Sequence, residues 1–443
     1  MVQPQKGKAA RTTKAAKQTA AKAANTGGDV VPQATSEKKK SDKAVVNEAE
    51  KKKSAFITRT IWTFVMIGGF FLVLAGGHLP LIIFVSVLQI LTFKEIIALS
   101  SEPARDKEIP LTKSLNWYFL VTTVYFLDAP NVLDFFQEDL FAHRVTSFLM
   151  ANHKFTSYTA YVAGFVAFVL TLKKGHYKFQ FAQLCITHMT LLIVVYQAHL
   201  IIENILNGII WFFLPCALVI TNDIFAYLCG ITFGRTQLIE LSPKKTVEGF
   251  VGAWICTMIW SLLFVYGCSA TDYFICPAEN LSTNITNFPH CEHNPVFITQ
   301  LWQVPDFFQS VVHTLNIKPV YAHGLWLATF ASLIAPFGGF FASGLKRAFA
   351  IKDFGDTIPG HGGVTDRMDC QFLMGSFSYL YYSTFISVQK MTFAKILQTA
   401  IVNLSVAQII HLIRSLLRYL HNIDAVPEST VVKVSELLES ATL

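Results

Sequence analysis

"FFLPCALVITNDIFAYLCG", residues 212–230, decides the architecture. It runs for 19 residues with Asp223 as its single charge, about the length a helix needs to cross the hydrocarbon of a bilayer. The stretch lies inside an apolar run at 208–230, and similar runs recur near 56–75, 80–99, 115–130, 156–172, 181–201, 250–268, 322–342 and 371–388. A tenth, 394–419, contains Gln398, Asn403, Gln408, His411, Arg414 and Arg418, and reads either as an interfacial helix or as one packed inside a bundle. With 52% hydrophobic residues and 38 Phe among 443 residues, the chain holds too many such runs for one water-surrounded core. The expected fold is all-α, a polytopic membrane helical bundle of about nine or ten transmembrane helices.

Charge orients that bundle. Residues 1–53 hold 13 Lys or Arg against 5 Asp or Glu, while the rest of the chain is close to neutral. This Lys/Ala-rich opening has almost nothing to bury and reads as a disordered basic cytoplasmic tail, 1–54. The first apolar run starts too late for a cleaved signal sequence, and a single Arg among several acids fits a mitochondrial presequence poorly. Counting crossings from a cytoplasmic start puts "SEPARDKEIPLTK" (101–113), "KKGHYK" (173–178), "FGRTQLIELSPKKTVEG" (233–249) and the charged stretch 352–369 on the cytoplasmic side. The acidic "DAPNVLDFFQEDL" (128–140) and the loop 269–320 fall opposite. That loop carries sequons at Asn280 and Asn284 and two cysteines, Cys276 and Cys291, which an oxidising lumen would allow to pair or which stay reduced. The resulting partition is a tail, N-terminal transmembrane helices (55–200), a catalytic transmembrane domain (201–420) and a C-terminal tail (421–443).

Three polar clusters interrupt the apolar pattern. Asp223 is the costliest residue, since a carboxylate inside a span is penalised by about 2.5–3.5 kcal/mol. Either the helix stops at Thr221 and Asp223 caps the next segment, or the carboxylate faces a polar cavity, binds a metal ion and needs a cation beside it. In "LSPKKTVEGFVG" (241–252), Ser242 and Pro243 read as N-cap and first helical residue, which would place Lys244 and Lys245 where the helix dipole repels cations. A bound phosphate would explain that placement, and so would two lysines reaching for headgroups. The third cluster, from Ser343 to Asp369, balances Lys346, Arg347, Lys352 and Arg367 against Asp353, Asp356, Asp366 and Asp369. Equal numbers suit a metal bridging to phosphates, with carboxylates on the metal and bases on the remaining oxygens. Asp366 and Asp369 stand three apart, on one face of a helix, where they can share a hard cation. Gly360, Gly362 and Gly363 around His361 allow a tight turn and close backbone approach to a ligand. His361 itself could carry a proton, donate to a phosphate or cap the turn.

Ser343-Gly-Leu-Lys346-Arg347, Lys352-Asp353-Phe-Gly355 and His361-Gly362-Gly363-Val-Thr-Asp366-Arg367-Met-Asp369 together resemble the signature of the CDP-diacylglycerol synthases, or phosphatidate cytidylyltransferases. The likeness extends over roughly residues 55–420. It implies a multi-pass enzyme of the endoplasmic reticulum membrane, with a cytoplasm-facing site, that moves CMP from CTP to phosphatidic acid. It also implies Mg²⁺ dependence, a homodimer and no nucleic-acid partner. By resemblance, Asp223, Asp366 and Asp369 would hold the metal, and Asp366, Asp369, Lys352, Asp353 and His361 would form the catalytic set. Ser242, Lys244, Lys245, Thr246, Ser343, Lys346, Arg347, Arg367, Gly362 and Gly363 would bind the substrates.

The chemistry this implies is phosphate attack on the α-phosphorus of CTP. Two polyanions must meet, so positioning and charge neutralisation are the main requirements. No general base is needed, because a phosphate monoester is largely ionised at neutral pH. A polyprenyl-lipid kinase or sugar-phosphate transferase would need a similar site. A transporter coupled through Asp223 would instead show repeated broken helices, and the sequence has none evident.

Overall fold

A computed structural model describes residues 34–99, 109, 111–141, 148–149, 152–278, 281–288, 290–303, 314–387, 400, 404–423 and 425–440. Residues 1–33, 101–108, Asn280 and most of 388–403, on which several expectations rested, lie outside the described residues. Two compact units emerge, Met1–Met66 and Ile67–Leu443. Helix α1 (Ala34–Gly76) begins in the first and ends in the second. The reading of 1–54 as an unstructured tail therefore differs from the structure over residues 34–54. Lys, Glu and Ala are strong helix formers, so the same composition that cannot build a core can still extend a helix.

The second unit continues with α2 (His78–Ala98), α3 (Leu111–Phe141), α4 (His153–Leu170), α5 (Tyr177–Leu206, with a π turn at Leu191–Tyr196), α6 (Ile210–Phe233) and α7 (Val247–Cys268). A loop holding the short α8 (Asp272–Ile275) and an antiparallel pair, β1 (Gln300–Gln303) and β2 (Thr314–Ile317), leads to α9 (Val320–Leu333) and α10 (Pro336–Ala348). Helices α11 (Thr365–Phe385), α12 (Val406–Asn422) and α13 (Glu428–Ser440) complete the described order.

Among the described residues, six helical stretches are long and apolar enough to cross a membrane: Phe56–Gly76, α2, α5, α6, α7 and Val320–Ala348. The last bends before Pro336, which takes the first helical position of α10. The expected runs at 115–130, 156–172 and 371–388 are represented too, by α3, by α4 as far as Leu170 and by α11 as far as Phe385. The described part of 394–419 falls mostly in α12, which buries none of its residues.

The core explains how α6 and α11 are aligned. Trp211, Leu214 and Leu218 of α6 pack with Val265 of α7, Leu327 and Ala331 of α9 and Met374 of α11. Pro215 inside α6 has no N–H to give the carbonyl one turn earlier. That carbonyl, Trp211 O, instead accepts from Ser378 Oγ of α11 at 3.0 Å. Gln371 Nε2 donates to Cys216 O at 3.3 Å, and Asn204 Nδ2 of α5 donates to Gly375 O at 2.8 Å. Gly375 itself lets α11 close on α5, since a Cβ there would come within 2.3 Å of Ile201. Helix α11 is thus more polar than its neighbours because its polar groups stitch the bundle and fix its register.

Candidate active site

Register brings the two polar helix segments together. Helix α6 continues unbroken through Asp223 to Phe233, so the capping alternative for Asp223 falls. Its carboxylate is about half exposed and faces Lys245 Nζ at 3.4 Å. Asp369, in the first turns of α11, lies within range of the Asp223 charge. One of its oxygens accepts the N–H of Cys370 at 2.8 Å. Between these elements Asn222 is buried with Oδ1 lacking a donor, and it lines a small cleft with Lys245, Thr246, Pro336 and Phe340.

The helix expected to start at Ser242 starts at Val247. Thr246 is the N-cap, its Oγ accepting Gly249 N at 3.2 Å. Ser242-Pro243-Lys244-Lys245 forms a tight turn closed by Lys245 N to Ser242 O at 3.1 Å. Proline suits the second position of such a turn as well as the first turn of a helix, which is why the sequence misled. The dipole argument for a bound anion at Lys244 and Lys245 therefore does not stand: both precede the helix, and Lys245 answers Asp223. Glu248 in the true first turn accepts the backbone N–H groups of Arg235 and Thr236, folding the preceding loop back over the helix start.

Asp366 and Asp369 share a helix but not a task. Asp366 is largely but not fully buried, with Oδ1 taking Lys346 Nζ at 2.6 Å and Oδ2 taking the N–H groups of Phe354 at 3.0 Å and Gly363 at 3.2 Å. It clamps the loop between α10 and α11, and Lys346 also feels the Asp369 charge. Among the described residues no three His, Cys, Asp or Glu side chains gather as metal ligands. Of the expected trio, Asp366 is engaged by Lys346 and two backbone N–H groups, whereas Asp223 and Asp369 lie within range of each other's charge.

The glycine-rich turn is largely self-satisfied. Ile358-Pro359-Gly360-His361 has the residues of a type II turn, with φ +76° at Gly360 and His361 N donating to Ile358 O at 2.9 Å. Gly362, at φ +84°, pairs with Ile358 and passes beside Asp353. Arg367 Nη2 donates to His361 O at 2.8 Å, closing the turn, and His361 Nδ1 lies 3.4 Å from Pro359 O. Lys244, Arg347, Lys352 and Asp353 are exposed, and Ser343 sits half-buried on α10.

Sequence reasoning missed Glu95. This buried carboxylate of α2 accepts from Thr357 Oγ, Val364 N, Thr365 N and Thr365 Oγ, at 2.5–3.0 Å, at the very start of α11. The signal was available, since an acid within the apolar run 80–99 is itself an anomaly.

Below Asp369 opens a cavity of about 260 Å³, walled mainly by apolar side chains such as Ile96, Val194, Phe337, Phe341 and Phe372. The cavity sets one carboxylate, Asp369, into a hydrocarbon-like wall, while Asn222 and Lys245 line the separate small cleft. It suits a ligand with a phosphate head and an apolar body.

The polar cluster thus sits among helices long and apolar enough to cross a membrane, as in a multi-pass membrane protein. The chain belongs to the cytidylyltransferase family, whose model matches residues 57–385. It is similar to a phosphatidate cytidylyltransferase of Saccharomyces cerevisiae, 54% identical over 390 residues that cover 88% of this chain and 85% of that protein. A phosphatidate cytidylyltransferase 1 of Arabidopsis thaliana is 44% identical over 82% of this chain and 86% of its own length. The rat phosphatidate cytidylyltransferase 1 is 46% identical over 74% and 72%.

Proposed function

We propose that this chain transfers CMP from CTP to phosphatidate, forming CDP-diacylglycerol and releasing pyrophosphate, at the head of α11. The observation that carries the siting is Asp369 on the wall of the apolar cavity and within range of the Asp223 charge. The lipid's glycerol and acyl region would enter the cavity, leaving its phosphate near Asp369, while exposed Lys244, Arg347 and Lys352 would receive the triphosphate. Bringing the two anions together is the main barrier, and fixed bases lower it without moving during the reaction. Lys245 and Lys346 hold the two sides of the site in register through Asp223 and Asp366.

The donor set fits Mg²⁺, a hard cation that takes few carboxylates and completes its shell with waters and phosphate oxygens. Asp223 and Asp369 would hold it, and the oxygen of Asn222, the residue before Asp223 in α6, is an unmet acceptor. When bound it would neutralise phosphate charge and polarise the phosphorus under attack.

The wider setting is part of the same proposal. Helix α7 starts beside the site and ends at the disulfide-bearing loop, about 33 Å away at 1.5 Å per residue over its 22 residues. That separation, the sequon at Asn284 and the basic loops favour nine spans with the site on the cytoplasmic face of the endoplasmic reticulum membrane. The resemblance is the ground for a homodimer and for a role in supplying phosphatidylinositol synthesis. The test uses purified protein with phosphatidate, Mg²⁺ and CTP labelled on the α- or the γ-phosphorus. Label should enter the lipid only from the α position and leave as pyrophosphate from the γ position; γ label in the lipid would mean a kinase instead.

A further inference from the structure

We propose that Glu95 is a positioning residue for cytidylyl transfer: from α2 it locks the first turn of α11 and the loop before it into one geometry, and so sets where Asp369 stands. The proposal rests on the siting of the chemistry at the head of α11. Both carboxylate oxygens are engaged, Oε1 by Thr357 Oγ and Val364 N, Oε2 by Thr365 N and Thr365 Oγ. Glu95 is 7% exposed, and none of these four partners is a cation. What compensates it is the start of a helix, where backbone N–H groups lack intrahelical acceptors and the dipole favours negative charge.

Two glycines record the same fit from the other side. A methyl group on Gly363 would lie 2.7 Å from Glu95 Oε2, and one on Gly355 would lie 3.0 Å from Oε1, with all three of its nearest atoms belonging to Glu95. Here the glycines of the motif make room for a carboxylate of the protein rather than for a nucleotide phosphate. The clamp joins the N-terminal helices to the catalytic loop through one side chain. Asp369 lies one turn beyond Thr365, so a shift of the helix head moves it directly.

Replacing Glu95 by Gln preserves shape but supplies one acceptor oxygen where two are used, and its NH₂ would face donors. A packing role would be rescued by Gln; a clamp acting through both oxygens would not. Purified Glu95→Gln should lose about 10²-fold in kcat, as a displacement near 1 Å does in a positioned site. Its KM values and its stoichiometry of CTP binding should stay near those of the parent, which separates misplacement from loss of folded protein. Gly355→Ala should be strongly impaired in the parent, yet add nothing to Glu95→Ala, because the group it strikes is then gone. Where Glu95→Ala yields no folded protein, Thr357→Val removes one of the four donors and should still lower kcat at unchanged KM. Parental kcat in Glu95→Gln, a change confined to KM, independent effects of Gly355→Ala and Glu95→Ala, or parental kcat in Thr357→Val would overturn the proposal. Asp369→Asn serves as the benchmark: if it stays active the siting itself fails, whereas an inert Asp369→Asn beside a normal Glu95→Gln rejects only the clamp.

Discussion

Two polar regions sit at opposite ends of α7, and they handle charge in opposite ways. In the loop after α7, Asp272, Tyr273 and Cys276 are each answered by protein. Asp272 takes hydrogen bonds from His290 and, at 2.9 Å, from His293; Cys276 is bonded to Cys291; and Tyr273 Oη donates to Leu74 O. At the head of α11 the polar groups are left partly unanswered. Asp223 is about half exposed, Asn222 Oδ1 is buried without a donor, and Lys352 and Arg347 reach solvent. Unpartnered buried polar atoms occur elsewhere too, His78 Nε2 beside the closed loop among them, so what sets the head of α11 apart is that its unmet acceptor stands next to an exposed carboxylate and exposed bases. The closed region is architecture; the open one is chemistry.

That contrast breaks first at Asp369. Asp369→Asn keeps the shape and removes the charge, and transfer should fall by about 10³-fold, the scale of losing a preorganised electrostatic group. Asp272→Asn, the same change in the closed region, should leave kcat intact. Assay of both with α-labelled CTP decides it, and equal losses would erase the distinction between the two ends.

Lys346→Ala probes the part of the site that is already closed. It strands Asp366, whose side chain is 9% exposed, and because Lys346 is 18% exposed the loss should fall at or below the low end, about 3 kcal/mol, of what breaking a buried pair costs. Thermal unfolding in detergent should show the loss, with Asp366→Asn plus Lys346→Met recovering part of it. If Lys346→Ala unfolds like the parent, Asp366 is not a structural clamp. The disulfide comes next. Cys276→Ser opens a link between cysteines 15 residues apart, worth about 3 kcal/mol in the chain-entropy account. Its unfolding temperature should drop while CMP transfer by the folded enzyme persists.

Apolar periodicity made the helices legible, because the bilayer leaves few alternatives to a 20-residue run. Six of the expected spans emerge on length and hydropathy alone. Helix α11 needed more than hydropathy, since Ser378 and Gln371 are polar for the sake of α6. The site was legible as a set of residue types and not as a division of labour. Spacing put Asp366 and Asp369 on one face, but partners from α10 and the loop claimed the first and left the second. Ser242-Pro243 satisfied a rule for helix starts and a rule for turns equally well, and only the packing of Thr246 against the end of α6 chose between them. Glu95 escaped because its four partners lie more than 260 positions away, a separation no local pattern spans.

The smallest expected effect tests how closed the closed region is. The Asp272 carboxyl is held below its usual range chiefly by the His290 hydrogen bond, with His293 adding to it and partial burial acting the other way. A carboxyl whose pKa is lower in the folded chain than in the unfolded one contributes stability that is complete above the unfolded value, about 3.9. That contribution is lost as pH falls through the folded value. The parent should therefore unfold at a higher temperature than Asp272→Asn at about pH 5, and the two should converge below about pH 4, where the parent's advantage is protonated away. Because Asp272 is paired with His290 and His293, the difference reports the three-residue cluster, with the carboxyl governing its acid limb. A gap that persists unchanged to the lowest pH at which the protein unfolds reversibly would mean that Asp272 acts through shape alone, and that the contrast with the open site is one of packing rather than of charge.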